Sequence, residues 1–247
     1  MRLTVVGCGD AFGSGGRFST CFHLESARTT FLVDCGASTH VALNAHGIDA
    51  NAIDAIILSH LHGDHFGGIP FLLLQSQFLK ARERPLVIAG PPGSTERIDA
   101  AIEAFFPRAT RNKWRFAWSV TEIPVGMPAD VLGLAVVSAE VVHFSGAPST
   151  ALRINDGERV FSYSGDTQWT EALLPIARGA DLFAVECYDY DRDLTGHLNW
   201  ATIKQKLPDL NARRVMLTHM NPTMLAKVEE ARAAGVLVAE DGMVVEV

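Results

Sequence analysis

The sequence predicts an α/β protein, read as one domain over residues 1–247. Short apolar runs of strand length alternate with helix-like segments along the whole chain. Polar and glycine-rich clusters follow directly on several of those runs, where α/β sheets place their chemistry. No linker, low-complexity tract or charge block interrupts the alternation, and the two halves look alike in plan.

Composition sets outer bounds. The chain is 48% hydrophobic, enough for a sizeable core. It carries 21 Lys and Arg against 28 Asp and Glu, a net charge of −7. That balance argues against nucleic acid as a general partner. Cys8, Cys21, Cys35 and Cys187 are scattered without a CxxC, so buried thiols in a reducing compartment are expected rather than a disulfide framework. No signal-peptide pattern or membrane-length apolar run is present, and a cytoplasmic location is the expectation.

Residues 3–6 read as a strand. The glycine-rich loop Gly7 to Gly16 follows without a helical pattern behind it, which excludes a dinucleotide fingerprint. This loop is either a flexible turn or the rim of a site, where Arg17, with Ser19 and Thr20, would meet an anionic substrate. Residues 21–24 and 29–33 read as a strand pair turned at Ser26, ending in Asp34-Cys-Gly36. Residues 37–46 read as a helix stopped by Gly47, with His40 and His46 on its surface.

The apolar run 53–58 then delivers Ser59-His60-Leu61-His62-Gly63-Asp64-His65. His60 and His62 can project to one side of an extended chain, and Gly63 permits the turn to Asp64 and His65. Imidazoles and a carboxylate at this density suit zinc, iron or manganese, and two adjacent metals are the economical reading. A solvated histidine-rich turn is the bland alternative. It explains less, because the cluster sits behind a buried-type strand.

Residues 70–82 read as a helix and 86–89 as a strand, followed by the turn Gly90 to Gly93. Ser94 is placed to cap a helix through residue 106. Trp114, Phe116 and Trp118 alternate as on a strand face, either as core or as a substrate mouth. Residues 131–142 read as one or two strands ending at His143. Residues 151–154 and 159–163 form a hairpin across Asn155-Asp-Gly157, ending at Gly165-Asp166. A short helix over 171–177 and a strand over 181–185 lead to Glu186. A polar loop leads to Gly196-His197. Helix 200–207, strand 214–217 ending at His219, helix 227–234 and a closing hairpin of 236–239 with 243–247 complete the chain.

His60-Leu-His62-Gly-Asp64-His65 matches the HxHxDH signature of the metallo-β-lactamase superfamily. The chain resembles its ribonuclease Z/phosphodiesterase/arylsulfatase-like branch over essentially its whole length, in the opening loop, in Asp34-Cys-Gly36 and in Thr195-Gly-His197. The resemblance implies a four-layer αββα sandwich. It implies His60, His62 and His143 on one metal, and Asp64, His65 and His219 on another. Asp166 would bridge them, and Asp34 would support the site from behind. A hydroxide between two divalent ions, zinc first and manganese or iron next, would be the nucleophile. Asp64 would orient it. His197, held by Glu186, would be the proton donor to the leaving oxygen, although Asn199 and Trp200 depart from the branch pattern there.

The expected activity is hydrolysis of a small phosphodiester such as a cyclic nucleotide. A sulfate ester, lactone or thioester is the alternative. Ribonuclease Z carries a long tRNA-gripping arm between its third histidine and its bridging aspartate. Here one hairpin fills that interval, which argues against tRNA 3′ processing. Oxygen-reducing di-iron relatives replace the second motif histidine with Glu, whereas His62 is present. The partner expected is thus a small anionic or ester substrate, with no membrane. Family members are often dimers, so a homodimer stays open.

Overall fold

All residues, 1–247, are described by a computed structural model. The first half supplies β1 (Arg2–Gly7), β2 (Cys21–Glu25), β3 (Thr30–Val33), β4 (Ala55–Ile57), β5 (Leu86–Gly90) and β6 (Trp118–Glu122). The second supplies β7 (Pro128–Val131), β8 (Leu134–Glu140), β9 (Thr150–Asn155), β10 (Val160–Tyr163), β11 (Leu182–Glu186), β12 (Val215–Thr218) and β13 (Leu237–Val238). The last strand, β14 (Val244–Glu246), returns to the first sheet. The sheet orders are β14-β1-β2-β3-β4-β5-β6 and β13-β12-β11-β10-β9-β8-β7.

Each sheet is antiparallel on one side and parallel on the other. β3 to β6 run parallel, as do β10 to β13. Parallel neighbours need crossovers, and the helices provide them. In chain order these are α1 (Thr39–Ala45), α2 (Gly63–Phe66), α3 (Ile69–Leu74), α4 (Ser94–Phe105), α5 (Leu173–Ala177), α6 (Trp200–Leu210), α7 (Pro222–Leu225) and α8 (Val228–Ala233).

Strand alternation decides what each face buries. Leu3, Val5, Phe22, Leu24, Phe31 and Val33 point between the sheets and meet Leu152, Ile154, Phe161 and Tyr163 from the other side. Val6, Cys21, Leu32, Ile56 and Ile88 point outward and pack under α1, α3 and α4. Phe183, Val185 and Leu217 do the same under α5, α6 and α8. The result is the αββα sandwich. The parallel strands of both sheets end at one rim, so Asp34, His60, Asp166 and His219 follow strand ends there and Glu186 is the last residue of β11.

Several local expectations change. The closing hairpin does not form. β13 pairs parallel with β12, and β14 pairs antiparallel with β1, so the turn at Glu240-Asp-Gly242 carries the chain from one sheet to the other. Both sheets have an open edge there, and Asp241 accepts from Cys8 N and Phe18 N, which holds the turn. The helix expected over 70–82 ends at Leu74 and widens into a π-type turn over Gln75–Leu79. Arg82 is buried, and its guanidinium donates to the carbonyls of Ala50, Ile53, Arg84 and Pro85. A buried cation needs those acceptors, and they override continued helix.

The stretch 131–142, expected as one or two strands, holds one, Leu134–Glu140; Val131 ends β7, and Leu132 and Gly133 turn the chain between them with positive φ. Ser94 is not the cap. Gly93 precedes the helix, and Ser94 Oγ donates to Pro91 O at 2.6 Å. Strand β6 begins only at Trp118. Phe116 is buried in the outer core, with Trp114 edge-on to it at 5.9 Å, so this trio packs as core. His40 and His46 are half-buried rather than free on the surface. His40 stacks on Phe71, and His46 Nε2 meets Val6 O.

Candidate metal centre

The motif arrives as the resemblance implies, on the end of β4. His60 and His62 lie on the extended exit, and Asp64 and His65 on the single turn of α2. Gly36 makes this packing possible: a Cβ there would sit 1.8 Å from Asp64 O. Gly165, with φ 59, lets the turn before Asp166 pass Thr150 O, where a Cβ would sit at 2.6 Å. Two further residues at the rim, Asp34 (φ 62) and His219 (φ 58), hold left-handed backbone without being glycine. Such conformations are costly and concentrate at functional sites.

The seven residues expected as ligands converge. His60, His62 and His143 form one group and Asp64, His65, Asp166 and His219 another, with the polar atoms of each group within 4.8 Å of one another. Asp166 Oδ2 is central. It lies 3.9 Å from His60 Nε2, 3.3 Å from His65 Nε2, 4.0 Å from His143 Nε2 and 3.2 Å from His219 Nε2.

The imidazoles are oriented from behind. Asp34 Oδ2 accepts from His65 Nδ1 at 2.7 Å and from Ser59 Oγ at 2.8 Å. Ser59 Oγ spends its proton on Asp34, so it receives His60 Nδ1 at 3.0 Å. His143 Nδ1 donates to Gly196 O at 2.8 Å. His219 Nδ1 lies 3.3 Å from Thr20 Oγ1. Four rings thereby turn Nε2 towards Asp166. His62 differs: its Nδ1 faces His143 Nε2 at 2.9 Å.

These residues fit divalent cations. His60 Nε2, His65 Nε2 and Asp166 Oδ1 are buried without a hydrogen-bond partner, which is costly for a polar group unless a ligand answers it. Imidazole nitrogen and carboxylate oxygen suit zinc, manganese or iron. Burial opposes the charge on Asp166, but His219 and His65 outweigh it and hold the carboxyl below its usual range. Burial also opposes charge on His65, and the surrounding Asp166, Asp64 and Asp34 overcome it and push the ring up.

His197 stands beside the cluster. Its Nδ1 is 3.1 Å from Glu186 Oε1, and its ring stacks on Tyr188 at 4.7 Å. His143, Asp166 and His197 also approach within 4.8 Å. Burial lifts Glu186 to about 7, against the pull of His197. For His197 burial works the other way, yet the hydrogen bond and charge of Glu186 raise it to about 9. The pair therefore keeps a proton at neutral pH.

Arg17 has another occupation. Its Nη1 donates to Ala239 O at 2.9 Å and contacts Cys8 Sγ at 3.3 Å, tying the glycine-rich loop to the segment after β13. Ser59 was absent from the expected site. Its one sequence signal is a hydroxyl residue directly before the first motif histidine.

A family model described as "Anti-Pycsar protein Apyc1" matches residues 1–242. The chain belongs to the Apyc1 family. Among curated relatives, "Probable metallo-hydrolase YhfI" of Bacillus subtilis (strain 168) is 27% identical over 227 residues, covering 89% of this chain and 87% of that one. "Ribonuclease Z" of Mycobacterium sp. (strain KMS) is 27% identical over 253 residues, covering 96% and 82%. Among solved structures, human tRNase Z, short form, aligns with a TM-score of 0.81 at 24% identity over 100% of this chain and 99% of that one. This Apyc1-family chain is a metal-dependent hydrolase of the metallo-β-lactamase fold. No helix in it is long and apolar enough to cross a membrane.

Proposed function

We propose that the chain is a binuclear phosphodiesterase acting on a small phosphodiester, a cyclic nucleotide first. The observation that carries the reading is the central placement of Asp166 Oδ2 among four imidazole Nε2 atoms, with buried polar atoms lacking a hydrogen-bond partner at His60, His65 and Asp166. His60, His62 and His143 would hold one divalent ion, and Asp64, His65 and His219 the other. Asp166 would serve both. Zinc is the first expectation, then manganese or iron. Bound ions of this kind supply Lewis acidity and bring the pKa of water to about 7.

The chain's own residues do the rest. Asp64, half-buried at the rim, orients the attacking water. His197 turns Nδ1 to Glu186, so Nε2 is the atom that gives a proton to the leaving oxygen. Glu186 is fully buried and holds both the proton and the ring angle of its partner. Its Oε1 also accepts from Thr167 N at 2.6 Å, next to Asp166, which couples donor and ligand positions.

The short β9–β10 hairpin between His143 and Asp166 supports a small substrate over tRNA. The second reading is tRNA 3′ processing, favoured by the ribonuclease Z relatives. A test is metal content with turnover of bis-p-nitrophenyl phosphate, a cyclic nucleotide, p-nitrophenyl sulfate, a lactone and a precursor tRNA. About two ions with cyclic-nucleotide turnover is expected. Turnover of sulfate or lactone alone would move the substrate class, and cleavage of precursor tRNA alone would favour the second reading. The same proposal includes a homodimer through the exposed Val41, Phe78, Leu79 and Phe105 on the helix layer of the first sheet. A monomeric mass by light scattering would remove that part.

A further inference from the structure

We propose that Thr20 is a positioning residue that sets the tautomer and the aim of His219. The inference rests on the reading of His219 as a metal ligand. Thr20 is fully buried, and its Oγ1 makes two contacts: Gly9 O at 3.0 Å and His219 Nδ1 at 3.3 Å. A hydroxyl has one proton, and a carbonyl oxygen only accepts. The proton of Thr20 therefore goes to Gly9 O. The remaining lone pair accepts from His219 Nδ1–H. The Nδ1–H tautomer leaves Nε2 bare, 3.2 Å from Asp166 Oδ2 and 4.0 Å from Asp64 Oδ2.

His219 needs this help more than the other imidazoles. Its backbone is left-handed, with φ 58, so strand geometry does not aim its side chain. Its N–H donates to Cys8 O at 3.0 Å, and its neighbour Met220 bridges Gly9. Gly9 itself is threaded between this segment and residues 17–19. It bridges Ser19, donates to Phe18 O at 2.7 Å and leaves only 2.9 Å between an added Cβ and Arg17 Cβ. Thr20 thus fastens the opening loop of the chain and the last ligand to one atom. Ser59 does the same for His60, with Asp34 as the acceptor in place of a carbonyl.

The test begins on the zinc-loaded wild-type chain. Long-range 1H–15N correlation spectra should show His219 bound through Nε2 with a slowly exchanging proton on Nδ1. Zinc on Nδ1, or an Nδ1 proton that exchanges freely, would overturn the proposal, and this measurement needs no variant. Thr20→Val removes the hydroxyl and keeps the volume. In a chelator competition with zinc, it should weaken one of the two equivalents by about 10–100-fold and leave the other unchanged. In the zinc-loaded spectrum the Nδ1 proton of His219 should exchange faster. Thr20→Ser should restore both readouts. Wild-type affinity in Thr20→Val, or no recovery in Thr20→Ser, would overturn the proposal. If the wild type binds no zinc, the ligand reading fails, whereas equal zinc affinity in wild type and Thr20→Val leaves that reading standing and overturns only the role of Thr20.

Discussion

The three-histidine cluster and the acid-containing cluster meet at Asp166, within 4.0 Å of His60 and His143 and 3.3 Å of His65 and His219, but are built on different terms. His60, His62 and His143 bring no charge of their own, and two of the three are only half-buried. Their support is light: the hydroxyl of Ser59 behind His60 and a backbone carbonyl behind His143. Asp64, His65 and His219 add a carboxylate, and His65 is backed by buried Asp34 at 2.7 Å. Two carboxylates near one cation attract it far more strongly at low dielectric than one does. The comparison teaches that equal ligand number does not mean equal grip. The acid half should hold its ion the longer.

The largest expected effect is the loss of the shared group. Asp166→Ala should empty both halves together and abolish turnover, read by elemental analysis and the ester panel. An ion retained at full occupancy would break the picture of a common bridge. Next, His197→Ala should cost about 10²–10⁴-fold in kcat with poor leaving groups while both ions stay. Nitrophenyl esters should suffer much less. An equal loss on both kinds of ester would remove His197 from the donor role.

The pH profile refines that point. A general acid must be protonated, so activity should fall as pH rises through the folded pKa of His197, which Glu186 lifts. Glu186→Gln removes the lifting charge, so the alkaline limb should move to lower pH. A limb that stays in place would show that Glu186 does not set it. Asp64→Asn sharpens the comparison directly. Stepwise chelation of the wild type should release the three-histidine ion first, and the variant should lose that order. The smallest effect should come from Ser59→Ala. It should weaken the His60 ion by about 10–100-fold while leaving His65 backed by Asp34. Losses of equal size in both halves would show that Ser59 also governs Asp34.

Much of this was legible in the chain itself. The strand-then-cluster pattern at 53–65 marks a metal site because no other common use packs three imidazoles and a carboxylate behind a buried-type strand. Local period and turn chemistry also located most strands, since apolar runs and glycine turns act within a few residues. Where the reading missed, the cause was long-range. The helix over 70–82 yields to carbonyls that claim Arg82 from residues 50 and 53. The expected closing hairpin is split because each of its strands finds a free edge on a different sheet.

The sequence by itself determined which atoms could bind a cation, because ligand chemistry belongs to side chains and not to their surroundings. It also determined that those side chains end strands, because hydrophobic period is local. Only the tertiary structure decided which nitrogen of His60, His65, His143 and His219 faces Asp166. That choice depends on what stands behind the ring: Asp34, Ser59, Thr20 or the carbonyl of Gly196, each brought there by a different strand or loop. A tautomer is fixed by its hydrogen-bond partner, and partners distant in the chain meet only when the two sheets close on each other.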